Sequence, residues 1–280
     1  MITIKTDNVE HVIVPTIFPD GTSQVWKLPE NVVEELNSNL DVTLVWNFEN
    51  EREIMDLYSF RELYPEHNVS LHLPYLPYGR QDKAVSNEST FNLWVFGNML
   101  EVLDLAEVST IDAHNPNACE SAIPRFRNIT VTNIHDQLIK TTRPDYLVFP
   151  DIGARDRYYK SSMSHIPRVI FYKERDQSTG TIIGHTLSYR DAQGVTIQGA
   201  DMGKIAKPGQ TFLIIDDICD GGATFLSISK KLRSQVDGIN ICLFVTHGIF
   251  SKGRDILTTN GINRLYTTNS LIKNGDGFKV

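Results

Sequence analysis

Thr211–Thr224 reads TFLIIDDICDGGAT. Four apolar residues, Phe212-Leu213-Ile214-Ile215, end in two adjacent carboxylates, Asp216 and Asp217, and a third follows at Asp220. A small corner, Gly221-Gly222-Ala223-Thr224, then leads into a helical pattern over Phe225–Arg233. A short apolar run closed by turn residues predicts a buried strand. A glycine corner at a helix start leaves N–H groups and the positive end of the helix dipole facing an anion, and glycine lets the backbone approach it. Neighbouring carboxylates can accept hydrogen bonds from sugar hydroxyls or hold Mg²⁺. The stretch therefore predicts a site for a phosphorylated sugar. An ordinary strand–helix turn would also use Asp and Gly, but it leaves two consecutive carboxylates repelling each other with no cation or donor to offset them.

Outward from this stretch, strand-like and helix-like segments alternate. Val42–Trp46, Val69–Leu73, Glu107–Ile111, Leu147–Phe149, Val169–Phe171 and Ile239–Val245 read as strands, while Glu51–Tyr64 and Phe91–Leu105 read as helices. Such alternation predicts an α/β fold with mostly parallel sheets flanked by helices. Ligands of these sheets gather at the carboxyl ends of strands. The unusual polar clusters do follow strands: Asp112-Ala113-His114, Asp151-Ile152-Gly153, Lys173-Glu174-Arg175 and Thr246-His247-Gly248, besides Asp216-Asp217. Residues 42–80 repeat the strand–loop–helix–strand order of residues 212–248. Two similar halves are expected, 1–137 and 138–280.

Composition narrows the classes. At 280 residues the chain can form two ordinary domains, and 41% hydrophobic content excludes disorder. A net charge of −7 argues against nucleic acid as a partner, so an anionic small substrate must be held by local cations, helix ends and a metal. No apolar run reaches the roughly 20 residues of a membrane helix, and the N-terminus, MITIKTDNVEHVIV, alternates like a strand rather than a signal peptide. Cys119, Cys219 and Cys242 are far apart, which favours a reducing, cytoplasmic setting over disulfides or zinc.

Other segments carry weaker signals. In Asp151-Ile152-Gly153-Ala154-Arg155-Asp156-Arg157, two guanidinium forks suit a diphosphate and Asp151 a metal; a capped helix start with a surface ion pair fits equally well. His114 suits a divalent ion or a phosphate, although single histidines are more often structural. Lys173 and Arg175 precede the polar stretch Asp176–Gly180, so a mobile cationic segment could stabilise growing phosphate charge; alone, the pair equally suits a solvated hairpin. Tyr78-Gly79-Arg80-Gln81-Asp82 could hold a nucleotide or be a proline-ordered loop, and Phe18-Pro19-Asp20-Gly21 reads as a turn.

Taken in order, these pieces resemble those of the ribose-phosphate diphosphokinases, the phosphoribosyl pyrophosphate (PRPP) synthetases. FLIIDDICDGGAT is similar to that family's ribose-phosphate loop, FPDIGARDR to its pyrophosphate loop and DAHN to its metal-associated histidine region. FYKER resembles its catalytic flexible loop, PYGRQD its ATP-binding segment, FPDG its nucleotide-contacting turn and FVTHGIFS its C-terminal strand motif. The match spans roughly residues 15–270. It implies two type I phosphoribosyltransferase-like domains and Mg²⁺-dependent transfer of the β,γ-diphosphate of ATP to the anomeric hydroxyl of a ribose 5-phosphate group, with AMP released. Carried over by position, Lys173 and Arg175 would be catalytic. Phe18, Asp20, Arg80, Gln81 and Asp82 would bind the nucleotide, the first two across a subunit contact in a homo-oligomer, dimer or hexamer. His114 and Asp151 would serve the metal. Asp151, Gly153, Arg155 and Arg157 would form the pyrophosphate loop, and Asp216, Asp217, Asp220, Gly221, Gly222, Ala223 and Thr224 the acceptor site.

Four departures from the family pattern stand out. The family loop usually reads DDxxDTGGT, whereas Gly221-Gly222-Ala223-Thr224 follows Asp220 here, so a phosphate-holding hydroxyl is missing. Thr22 replaces a Glu after FPDG, Asn115-Pro116-Asn117-Ala118-Cys119 replaces a Gln-rich stretch, and the sequence stops at Val280 without the family's helical tail. Glycine at 221 predicts room beside the phosphate for a bulkier 5-substituent. ADP-ribose, an acceptor of NAD salvage, is therefore expected beside ribose 5-phosphate. A catalytically silent PRPP-binding relative and a type I phosphoribosyltransferase remain open as other readings.

Overall fold

A computed structural model describes residues 1–84, 86–159, 163, 165–175 and 182–271; the side chains of 173–175 and 182–185 lie outside that description. The chain divides into two compact units, Met1–Thr130 and Val131–Val280. A break after residue 137 would fall inside helix α5 (Thr132–Thr142), which lies wholly in the second unit.

The first unit has a six-stranded sheet built from β1 (Ile2–Lys5), β2 (Glu10–Val12), β5 (Asp41–Trp46), β6 (Asn68–Leu73), β7 (Glu107–Ile111) and β8 (Phe126–Ile129), in the order β2-β1-β5-β6-β7-β8. A small hairpin, β3 (Thr16–Ile17) and β4 (Ser23–Gln24), stands apart from it. The four strands from β5 to β8 are parallel; β1 and β2 extend the edge antiparallel. α1 (Glu30–Ser38), α2 (Glu53–Leu63), α3 (Asn92–Glu101) and α4 (Pro116–Ala122) complete the unit. Alternation in β5 and β6, with every second residue buried, places Leu44, Trp46, Leu71 and Leu73 in the core. Each such side chain contributes about 1.5–3 kcal/mol on removal from water. The Asn115-Pro116 departure has a local reason: Asn115 caps α4 by accepting from Ala118 N, and Pro116 takes the first turn, where its missing N–H costs nothing.

The second unit's seven-stranded sheet is made of β9 (Tyr146–Phe149), β10 (Arg168–Arg175), β11 (Ile182–Arg190), β12 (Thr196–Gln198), β13 (Thr211–Cys219), β14 (Asn240–Gly248) and β15 (Arg264–Thr267). Their order is β12-β11-β10-β9-β13-β14-β15. From β10 to β15 the strands are parallel, and β11 and β12 form an antiparallel edge. α5, α6 (Ile152–Tyr158), α7 (Ala223–Gln235) and α8 (Asp255–Thr259) accompany it. β9 is buried throughout and β14 at all but its first residue, the pattern of strands covered on both faces. The repeat anticipated between residues 42–80 and 212–248 is present as two parallel strand–helix–strand units, β5-α2-β6 and β13-α7-β14.

Candidate active site

In the second unit the chain leaves β9 through α6 toward β10 on one side, and later leaves β13 through α7 toward β14 on the other. The strand order therefore reverses between β9 and β13, which is where open α/β sheets form a ligand crevice. Strand lengths deepen it. β9 ends at Phe149, its last pairings being Ile170↔Phe149 and Ile214↔Val148. β10 runs on to Arg175 while paired with β11, and β13 runs on to Cys219 while paired with β14. Both neighbours overhang the short central strand and leave a notch at its carboxyl end.

The acidic pair lies in that overhang. Sequence reading ends the strand at Ile215; instead Asp216 and Asp217 belong to β13, with Asp216↔Val245 and Ile218↔His247 in register. Alternation turns them to opposite faces of the strand. Asp217 is buried and paired: Arg157 Nη1 on α6 lies 3.0 Å from its Oδ2. Asp216 is partly buried and takes the Asp217 backbone N–H on Oδ1 at 3.0 Å. Burial first, and the neighbouring Asp217 second, push the Asp216 carboxyl well above the usual carboxylate range. The predicted repulsion is thus resolved by an arginine for one member and a bias toward protonation for the other.

Asp151 begins α6 at the end of β9. Its Oδ1 caps the helix by accepting from Ala154 N at 2.9 Å, and its charge adds to the upward shift at Asp216. Of the two arginines expected to clamp a diphosphate, Arg155 pairs with adjacent Asp156, with Nε 2.8 Å from Oδ1, and Arg157 with Asp217. Gly153 is exposed on this helix. The backbones of Lys173 and Arg175 belong to the other overhang, opposite His185 and Ile182 on β11, as strand rather than loop; their side chains lie outside the described residues, as does the stretch 176–181.

The glycine corner closes the site. Gly222 caps α7 at φ +77°, and a Cβ there would fall 2.7 Å from Leu257 Cδ2, so both backbone and space require glycine. No side chain caps α7, so its first-turn N–H groups have no side-chain acceptor at Gly222. Asp220 and Ala223 are exposed, and Thr224 is partly buried in the first turn. Cys219 is buried below Gly222; burial pushes its thiol up to about 12, so it is no nucleophile. The room expected beside Gly221 is filled: a Cβ at 221 would meet Lys252 Cε at 3.3 Å and Cδ at 3.4 Å. Sequence reading passed over Lys252, because its only signal is a cation in the turn after FVTHGIFS.

The first unit carries the other expected residues. Asp82 Oδ2 accepts from Asn115 Nδ2 at 2.6 Å, joining the RQD segment to the stretch that carries His114. Gln81 accepts from Asn92 Nδ2 at 2.5 Å, at the start of α3. Arg80 is exposed. Tyr78 is a packing residue: at φ +61° its ring lies 5.2 Å from that of Phe96, and its hydroxyl donates to Glu51 at 2.8 Å. Burial and that carboxylate push it up to about 12. At the β3–β4 turn, Phe18 is 41% exposed, and Asp20 Oδ1 accepts from Thr22 N and Oγ1 at 3.0 and 2.7 Å, which holds its carboxyl below the usual range. Thr22 thus orders the turn where the family's Glu is replaced.

Among the described residues, no group of three or more His, Cys, Asp or Glu side chains is placed to hold a metal ion. Mg²⁺ needs only one or two carboxylates beside substrate phosphates and water; of the two residues expected to serve it, Asp151 stands at the start of α6.

No protein-family model matches the chain. Ribose-phosphate pyrophosphokinase of Mycoplasmopsis pulmonis is 26% identical over 275 residues, covering 93% of this chain and 77% of that protein. That of Saccharolobus solfataricus is 23% identical over 266 residues, covering 91% and 83%. The chain is similar to ribose-phosphate pyrophosphokinases over most of its length. Ribose-phosphate pyrophosphokinase B of Dictyostelium discoideum is 26% identical over 218 residues, and the match spans 62% of that protein's length. The crystal structure of phosphoribosylpyrophosphate synthetase from Mycobacterium smegmatis superposes on 95% of this chain and 83% of that one, with a TM-score of 0.70 at 18% identity. The fold is therefore the α/β fold of that synthetase structure, two mostly parallel sheets flanked by helices. No helix among the described residues is long and apolar enough to cross a membrane.

Proposed function

We propose that the chain is an ATP-dependent diphosphotransferase whose acceptor is a ribose bearing a phosphate on its 5-carbon. The observation that carries this reading is the notch at β9, where the second unit assembles Asp151, Arg157, Asp216, Asp217 and the Gly221-Gly222 corner from segments far apart in sequence. The corner and the α7 N-terminus suit the acceptor's phosphate. The carboxylates suit its vicinal hydroxyls, and the two overhanging strands bring anionic and cationic segments to opposite sides of one gap.

Phosphoryl transfer asks mainly for positioning and charge neutralisation. The anomeric hydroxyl attacks the β-phosphorus of ATP, the bond to the α-phosphate oxygen breaks, AMP leaves, and the hydroxyl proton goes to solvent. The side chains of Lys173 and Arg175 are assigned the charge that grows on the moving group. Arg80, Gln81 and Asp82 are assigned to ATP, and Phe18 and Asp20 to its base across a subunit contact in a homo-oligomer. His114 and Asp151 are assigned to Mg²⁺, which when bound neutralises phosphate charge. Ribose 5-phosphate and ADP-ribose both present the required group. With Lys252 against Gly221, the case for ADP-ribose no longer rests on spare volume at that corner.

The test is product identification. Protein, ATP and Mg²⁺ are incubated separately with ribose 5-phosphate and ADP-ribose, and products are read by mass spectrometry. A diphosphate gained by one acceptor with equimolar AMP is expected, and Lys173→Ala should stop both. Absence of product with either acceptor contradicts the reading, and formation of pyrophosphate from PRPP and a base replaces it.

A further inference from the structure

We propose that Lys252 is a specificity-determining residue of the acceptor site, whose ammonium binds the phosphate on the acceptor's 5-carbon. The inference rests on the acceptor reading above and adds a residue to it. Residues 249–253 fold back over the glycine corner: Ile249 N and Phe250 N both donate to Cys219 O, at 2.9 and 3.1 Å. Two left-handed positions, Phe250 at φ +48° and Gly253 at φ +79°, with Gly253 N donating to Phe250 O at 2.8 Å, make the turn tight. Close packing fixes it on both sides. A Cβ at Gly248 would lie 2.1 Å from the Phe250 ring, and Leu257, just beyond the turn, fills the space against Gly222.

This anchoring lays the Lys252 stem along Gly221. Its Cγ, Cδ and Cε all lie within 3.6 Å of the position a Cβ would take at 221, so the lysine occupies the place a side chain there would hold. Lysine stems commonly cover apolar surface while the head stays in water. Here the stem ends at the corner that leads into α7, and among the described residues no hydrogen bond or ion pair engages the ammonium. Residue 221 has no side chain of its own, and the turn supplies a full positive charge beside it. A charge-assisted contact of this kind favours a phosphate over a bare hydroxyl about tenfold or more.

The experiment measures binding of ribose 5-phosphate, ADP-ribose and unphosphorylated ribose to the full chain by calorimetry, in wild type, Lys252→Met and Lys252→Arg. Methionine keeps the stem and removes the charge. Lys252→Met should weaken both phosphorylated ligands about tenfold, leave ribose itself unaffected, and lose the salt dependence of binding, while Lys252→Arg retains all three. The steeper loss marks which phosphorylated acceptor the ammonium serves. ATP affinity and circular dichroism report whether the variants are folded. Equal affinity of wild type and Lys252→Met for both phosphorylated ligands overturns this inference alone. Wild-type protein that binds neither overturns the acceptor reading and this inference with it.

Discussion

The two sheets of this molecule use the same strand–helix alternation and end in different rims. In the first unit the parallel strands follow sequence order, β5 to β8, and their ends are nearly level: Leu73 pairs with Thr110 and Ile111 with Ile129. In the second, the order reverses at β9, and the strands on either side of β9 outrun it. A level rim leaves the polar groups at its edge to the loops, as with Asp82 and Asn115. A notched rim places strand residues themselves at the edge, as with Asp216 and Asp217. Alternation of strand and helix therefore predicts the fold of both units, whereas strand order and relative strand length decide which holds a crevice.

Five substitutions separate the units. Gly97 on α3 would place a Cβ 1.9 Å from the Ala122 carbonyl oxygen of α4. Gly97→Ala should cost about 3 kcal/mol or more of stability, since backbone cannot yield as a side chain does. Its urea midpoint should fall while acceptor binding, in protein that remains folded, persists. Asp217→Asn removes the charge facing Arg157 from the notch, and turnover should fall about a hundredfold with the fold retained. A variant of near wild-type rate would remove Asp217 from the site.

Gly222→Ala should cost about 2–4 kcal/mol, from the left-handed backbone and the contact with Leu257, whereas Gly221→Ala, which meets only the flexible Lys252 stem, should cost less than about 1 kcal/mol. Equal costs would mean that the corner is not constrained as described. The smallest effect concerns Asp216. Its folded pKa is raised, so its contribution to stability is fully present below the unfolded pKa of about 3.9 and is lost as pH rises through the folded value. Asp216→Asn should therefore raise the thermal midpoint near pH 7–8, with an advantage that shrinks toward pH 4, and should lower turnover. A midpoint difference independent of pH would contradict the assigned burial.

Much of the architecture was legible. Glu107–Ile111 matches β7 as read, and the other strand readings fall within a few residues of the observed elements. The end of β13 was not, because aspartates are poor strand residues and read as a stop; pairing with β14 carries the strand through them. The candidate segments were found singly, by residue type. Their partners were hidden where they lie far along the chain: α6 brings Arg157 to Asp217, and the Tyr78 ring packs against that of Phe96. Lys252 carries no motif and becomes visible only through the absent side chain at Gly221.

The most direct measurement is hydrogen exchange of the full chain with and without saturating ribose 5-phosphate or ADP-ribose, read by mass spectrometry over each unit. Protection should concentrate in residues 151–158 and 215–226, the α6 start and the β13–α7 corner, and leave β5 to β8 unchanged. Protection confined to the first unit, or absent from the 215–226 segment, would contradict the placement of the acceptor at the notch.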